Sequence, residues 1–377
     1  MPTATESDGP PRGSGVPTGD HDQIDKLLAE LRFGTGSDAQ IGYAAAAVVR
    51  AWRKPPRIQV TGRAHAGRTT VLHALALMSA VETGPVDEPG LPDPEFDADI
   101  VIYVLAATPT PADRRALATL PPERTIAVLN KADAIGTRWG DAVAAAEQFG
   151  TELAIPVFPV VASLAVRTRT GVLTGAELAL LRKLATDADP ALVLSPDLFV
   201  APGPEVAERE QLLRHWDLYG VVCACAALRA DPDLSPQALL HILYAASGIE
   251  ALHQKLHQRY EQVCALRGGE LLDELTRLAA RAVPGQVDRA RDMLEAYLFD
   301  DDALWLGLCA GLARPEVAHL AAGYPTPAPS DADDALARAA RWRAVVSSDM
   351  PPAARRAALR VHNGYVRLWE RMSGAGL

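Results

Sequence analysis

The sequence predicts an α/β domain, a mostly parallel sheet flanked by helices, followed by an all-α helical bundle. Short β-type runs at 57–61, 100–105, 125–129 and 156–161 alternate with helix-like stretches after Arg68, Asp113 and Asp141. Strands that alternate with helices build parallel sheets. Beyond a Pro/Gly break at Ala201, Pro202, Gly203 and Pro204 only helical spacing remains, as in Leu252, Leu256, Tyr260 and Val263, then Leu271, Leu275 and Leu278.

Taken in order, residues 1–22 are Pro, Gly, Ser, Thr and Asp without an apolar core, which predicts a disordered tail and no signal peptide. Residues 23–54 read as a pair of N-terminal helices, with Ile24, Leu27, Leu28 and Leu31 at helical spacing and a stop at Pro55 and Pro56. The α/β region is expected over 55–200 and the helical region over 205–377, with the N-terminal helices free to join the bundle.

The 377 residues suffice for two domains. With 49% hydrophobic and 22% charged residues the chain is globular rather than fibrous or disordered. A net charge of -10 argues against nucleic acid as a partner, because phosphate binding rests on an excess of Lys and Arg. The four cysteines, Cys223, Cys225, Cys264 and Cys309, form no C-x-x-C pair and predict reduced thiols. The longest apolar runs fall well short of the roughly 20 residues that span a bilayer, so a cytoplasmic protein is expected.

The first β run leads into Gly62-Arg-Ala-His-Ala-Gly67-Arg68-Thr69-Thr70 and then a helix. This is the phosphate-cradling pattern G-x-x-x-x-G-K-[ST] with Arg68 in place of lysine. Gly62 and Gly67 let the backbone curl so that N–H groups converge on an anion at a helix N-terminus, and Thr69 is placed to offer its hydroxyl to Mg²⁺. A Gly-rich turn made for packing fits the same residues. Asn130-Lys131-Ala132-Asp133 follows the third β run, at the sheet edge where α/β proteins bind ligands. As N-K-x-D it reads as a guanine-specifying element: Asp133 can accept from the N1 and N2 donors of guanine, which adenine lacks, and Lys131 can lay its stem along the base. The alternative is Asp133 as a helix N-cap. One strand later Ser163 occupies the place of a short base-contacting element. Asp87, in Asp87-Glu-Pro-Gly-Leu91, suits either a Mg²⁺-water ligand or an ordinary Pro-Gly turn. No clear strand precedes it, and the 25 positions from Gly62 leave little room for two.

With these motifs in place, the chain resembles the P-loop GTPases of the translation-factor-related class. Within that class it is similar to bacterial dynamin-like and Era-like proteins, particularly the actinobacterial isoniazid-inducible dynamin-like type. RIQVTGRAHAGRTTVLHAL, DEPGL, ADIVIYVLAATPTPADRRAL and TIAVLNKADAIG carry the likeness, and LYGVVCACAAL with SGIEALHQKLHQRY extends it loosely into the helical region. The resemblance implies GTP or GDP with Mg²⁺, bound through Gly62, Gly67, Arg68, Thr69 and Thr70 at phosphate, Asn130, Lys131, Asp133 and Ser163 at guanine, and Thr69 and Asp87 at the metal. It also implies helices that pass nucleotide state to a membrane or a protein partner.

Arg68 is the main departure. A guanidinium is broader than an ammonium and cannot thread beneath the loop in the same way, so weak or absent hydrolysis is expected. Only five of the 37 basic residues are lysine, so a general preference for arginine also accounts for the change. No catalytic residue is assignable, although His65 lies inside the loop. The expected function is therefore a guanine-nucleotide switch or dynamin-like module. The alternative is a nucleotide-free scaffold of the same fold that docks a protein partner, such as a related intact GTPase. Two further features have bland alternatives. His253 and His257 have chelating i, i+4 spacing but equally suit a solvated face. Residues 338–371 carry Arg338, Arg341, Arg343, Arg355, Arg356, Arg360, Arg367 and Arg371 against Asp349 and Glu370, which suits peripheral contact with anionic membrane or pairing with the protein's own acidic faces.

Overall fold

The computed structural model describes residues 22–33, 37–77, 79–187, 194–281, 288–321, 324 and 326–374. The predicted tail therefore lies outside the described residues up to its last position. The chain divides into two compact units, 56–260 and 1–55 together with 261–377.

The unit 56–260 is built on five parallel strands in the order β2-β1-β3-β4-β5: β1 (Ile58–Gly62), β2 (Ala80–Glu82), β3 (Ile100–Leu105), β4 (Thr125–Asn130) and β5 (Val157–Val160). Every residue of β3 and β4 is buried, as their near-continuous apolar runs require of central parallel strands covered on both faces. The strand before Asp87 that the sequence does not announce is β2, a three-residue edge strand paired to β1 from Ile58↔Ala80 to Val60↔Glu82. Only one strand fits the short interval, and its central Val81 is exposed, so no alternation marks it.

The order turns back on itself at β1: the chain leaves β1 for β2 on one side and returns through β3 on the other. Loops at such a reversal diverge and open a crevice at the carboxyl ends of the strands. Around the sheet lie α3 (Arg68–Leu75), α4 (Pro111–Ala118), α5 (Trp139–Leu153) and α6 (Ala162–Thr170). Thr110 starts α4 with a capping box, taking the Asp113 amide while Asp113 Oδ2 accepts from the Thr110 amide at 2.8 Å. Tyr103 of β3 donates to Asp113 Oδ1 at 2.9 Å, and burial together with that carboxylate pushes the phenol's pKa up.

Sequence alone places the end of this region near residue 200, and the structure corrects that. The helices α7 (Gly175–Asp187), α8 (Pro196–Phe199), α9 (Val206–Ala230) and α10 (Pro236–Ala246) belong to the sheet's unit. They share one core with α6, in which Leu164, Leu181, Leu212, Trp216, Val221 and Leu243 are buried together. The Pro/Gly stretch at 201–204 is a turn within the unit. The division falls inside α11 (Ile249–Arg281), between Tyr260 and Glu261.

The other unit joins α1 (Asp22–Leu31) and α2 (Ser37–Trp52) to the latter part of α11, α12 (Asp288–Leu298), α13 (Asp301–Ala313), α14 (Pro315–Ala318), α15 (Ala332–Val346) and α16 (Pro352–Met372). Ile24, Leu27 and Leu31 of α1 pack with Leu271, Leu275 and Leu294, so the N-terminal helices do join the bundle. A second core gathers Trp342, Val361 and Tyr365 with Leu304 and Leu308. The arginine-rich stretch is largely used inside this unit. Arg338 is buried, pairs with Asp334 at 2.9 Å and stacks on Tyr324; Arg360 pairs with Asp273, Arg371 with Asp301, Arg341 donates to Leu320 O, and Arg367 lies over Phe299.

No helix among the described residues is long and apolar enough to cross a membrane. Leu275 of α11 is fully buried in the core that also holds Ile24, Leu27 and Leu31 of α1. Leu275→Ala is expected to cost about 2–5 kcal/mol in denaturant unfolding and to make 22–52 an early target of limited proteolysis. Retained protection of that segment would contradict the packing.

Candidate functional site

The loop after β1 is shaped by close approach to its neighbours. At Gly62 the chain passes so near β3 that a Cβ would stand 2.4 Å from Val104 O, and φ is +143°. His65 and Gly67 both adopt left-handed backbone, with φ of 62° and 88°. Val71 N donating to Gly67 O at 2.9 Å closes the first turn of α3. No side chain caps that helix N-terminus, which leaves its first amides with the anion-attracting end of the helix dipole.

The N-K-x-D residues are bound to this loop directly. Asn130, the last residue of β4, is buried; its Nδ2 donates to Ala66 O at 3.0 Å and its Oδ1 accepts from Ala162 N at 3.2 Å. One carboxamide thus joins the loop, the tip of β4 and the start of α6, where Ser163 is the second residue. Lys131, left-handed at φ 58°, extends its Nζ to His65 O at 3.0 Å. The loop and the tip of β4 are therefore immediate neighbours. The approach is so close that a Cβ on Gly67 would meet Asn130 Nδ2 at 2.3 Å.

Asp133 stands beyond Lys131 in a 3₁₀ turn, exposed at the surface while neighbouring chain crowds its carboxyl. That desolvation raises its pKa; Asp217 adds like charge, and backbone hydrogen bonding and Lys131 oppose the rise. Asp217 escapes notice in the sequence. It breaks α9 with φ 54° and ψ 169°, a conformation costing about 1–3 kcal/mol in a non-glycine residue, and ion-pairs with Arg167 Nη1 at 2.7 Å. Such a break has no signature in an otherwise helical run.

Arg68 is directed elsewhere than the phosphate pattern implies. Its Nη1 donates to Thr83 O at 2.6 Å, its Nη2 lies 3.6 Å from Glu82 Oε1, and its side chain is only 14% exposed. The guanidinium is committed to the end of β2. Glu82 is a second residue that the sequence does not disclose, because its role depends on a three-residue strand. Thr83 Oγ1 donates to the buried Thr61 hydroxyl at 2.9 Å, which ties the same corner to β1.

Asp87 follows Val86, whose amide donates to Gly62 O at 3.0 Å, so it lies beside the start of the loop. At φ 58°, its amide donates to Asp93 Oδ1 at 2.7 Å and its carboxylate faces Arg115 Nη2 at 3.6 Å. With Phe96, Ala112 and Arg115 it lines a hollow of about 510 Å³ between the loop after β2 and α4. The Asp87 carboxylate is half exposed, and among the described residues no group of three His, Cys, Asp or Glu side chains could hold a metal. His253 is engaged as well, its Nδ1 lying 3.1 Å from the Tyr244 hydroxyl, and burial lowers its pKa. The four cysteines are free thiols.

A second hollow, of about 290 Å³, lies between α6 and α9 and is lined by Arg167, Thr170, Arg214, His215 and Trp216. Neither hollow is lined by the loop or by residues 130–133. Converging hydrogen bonds, not volume, mark the candidate site.

Compared with protein-family models and with curated proteins, the chain matches none. Gly67→Ala is expected to destabilise the protein by about 1–3 kcal/mol through the left-handed backbone and the clash with Asn130. In the Asn130→Ala background the cost should shrink, a coupling read from a double-mutant cycle in urea; strict additivity would contradict the close approach.

Proposed function

We propose that this chain is a guanine-nucleotide-binding protein of the dynamin-like or Era-like GTPase type, acting as a switch or dynamin-like module with weak or absent hydrolysis. One observation carries the reading: Asn130 and Lys131 donate to the carbonyls of Ala66 and His65, so the base-reading element and the phosphate-type loop form one built surface. On that surface the amides of Gly67, Arg68, Thr69 and Thr70 would face phosphate, while Asp133 and the start of α6 at Ser163 would face guanine. Weak or absent hydrolysis follows from Arg68, whose guanidinium is held at β2, and from Asp87, which is turned to Arg115. Phosphoryl transfer depends on positioned charge at the transferred group, and bonds that hold these side chains elsewhere work against it.

The scaffold reading has its own support in the same arginine. A guanidinium that satisfies itself on Thr83 and Glu82 has no need of a phosphate, and a chain that keeps the surface without using it would serve to dock a protein such as a related GTPase. Membrane contact through residues 338–371 gains less support, because five of the eight arginines there are engaged within their own unit.

Calorimetry with GDP, GTP and ATP, with and without Mg²⁺, separates these readings. Guanine binding predicts a dissociation constant on the order of micromolar for GDP, weaker binding of ATP, and a loss of about one to two decades in Asp133→Ala, the worth of a charge-assisted hydrogen bond. No heat with GDP at high micromolar protein supports the scaffold instead. The pH dependence has a defined sign. Protonated Asp133 cannot accept from both guanine donors, and its raised pKa means that GDP affinity declines on acidification from a higher pH than the ordinary aspartate value of 3.8 would give. A flat profile down to that value would contradict a base contact through Asp133.

A further inference from the structure

The corner where α3 meets β2 holds a cation and an anion side by side at the flank of the candidate phosphate loop. Arg68, first residue of α3, shares its guanidinium between Thr83 O at 2.6 Å and the Glu82 carboxylate at 3.6 Å. The side chains are 14% and 25% exposed, so water screens them less than a surface pair. A carboxylate and a phosphate offer a guanidinium the same kind of partner, planar or forked oxygens with negative charge. Arg68 leaves the helix at the N-terminal turn, where a bound anion would sit, and Glu82 is the anion that now has it.

We infer that Glu82 is an intramolecular competitor for phosphate: it holds Arg68 against β2, and a nucleotide's phosphate gains the guanidinium only by displacing it. This inference rests on the guanine-nucleotide reading above and adds to it a built-in restraint on affinity. An edge strand suits the task, because β2 is three residues long and paired on one side only, to β1. The competition has a direction: neutralising Glu82 leaves Arg68 held by the Thr83 carbonyl alone and strengthens phosphate binding, whereas removing Arg68 makes Glu82 irrelevant to it.

The test uses the full chain as wild type, Glu82→Gln, Arg68→Ala and the double variant, titrated with GDP in a chelator-containing buffer so that no divalent ion masks Glu82. Glu82→Gln keeps the side-chain shape and should leave thermal unfolding nearly unchanged. It is expected to bind GDP about three- to tenfold tighter than wild type, the size of a partly screened ion pair, and to give no gain when Arg68 is alanine. Equal or weaker binding by Glu82→Gln, or the same gain without Arg68, overturns the competitor; in that case GDP binding that still depends on Asp133 leaves the guanine reading standing. If none of the four binds GDP, the guanine reading fails and inorganic pyrophosphate replaces it as the probe. Tighter pyrophosphate binding by Glu82→Gln alone then upholds the competitor, and no difference among the four refutes it.

Discussion

The carboxamide of Asn130 is buried, and its two ends meet the carbonyl of Ala66 and the amide of Ala162. Leaving either partner unmet in the interior would cost about 1–3 kcal/mol, so the three segments are fixed to one another by polar satisfaction as well as by apolar packing. The glycine at position 67 follows from this, since only a residue without a Cβ lets the loop come so near the amide. Lys131 adds a second tie to the adjacent carbonyl of His65. The loop is therefore a preorganised surface whose carbonyls turn inward to β4.

On the reading proposed above, that surface suits an anion more clearly than a reaction. Its helix N-terminus has no side-chain cap, yet the Arg68 guanidinium that phosphoryl chemistry would recruit is held at the end of β2, and the half-exposed Asp87 carboxylate faces Arg115 at 3.6 Å. Binding needs only the first of these properties and hydrolysis needs all of them. On that reading the same geometry accounts for an anion-facing loop together with the arginine that follows its last glycine.

Much of the fold was legible because burial writes itself into period. The run that became β3 is apolar throughout and that of β4 is apolar between Thr125 and Asn130, as central parallel strands covered on both faces require. Asn130, Lys131 and the two glycines were legible because their spacing is set by a strand ending in a loop. Three things were not. The strand β2 is too short and too exposed to carry a pattern, so Glu82 passed as an ordinary surface acid. The direction of Arg68 depends on that strand and could not be known without it. The unit boundary was misplaced because helical spacing shows which face of α9 and α10 is buried but not which neighbour covers it, and the Pro/Gly stretch at 201–204 reads identically as a linker or as a turn within one core.

The account stands on the loop, the tip of β4 and the start of α6 acting as one ligand-facing surface. Hydrogen exchange of the intact chain with and without excess GDP addresses this most directly. Simultaneous protection of peptides covering 62–70, 130–133 and 162–163 is the predicted result. Unchanged exchange in all three, or protection confined to residues elsewhere in the chain, would contradict it.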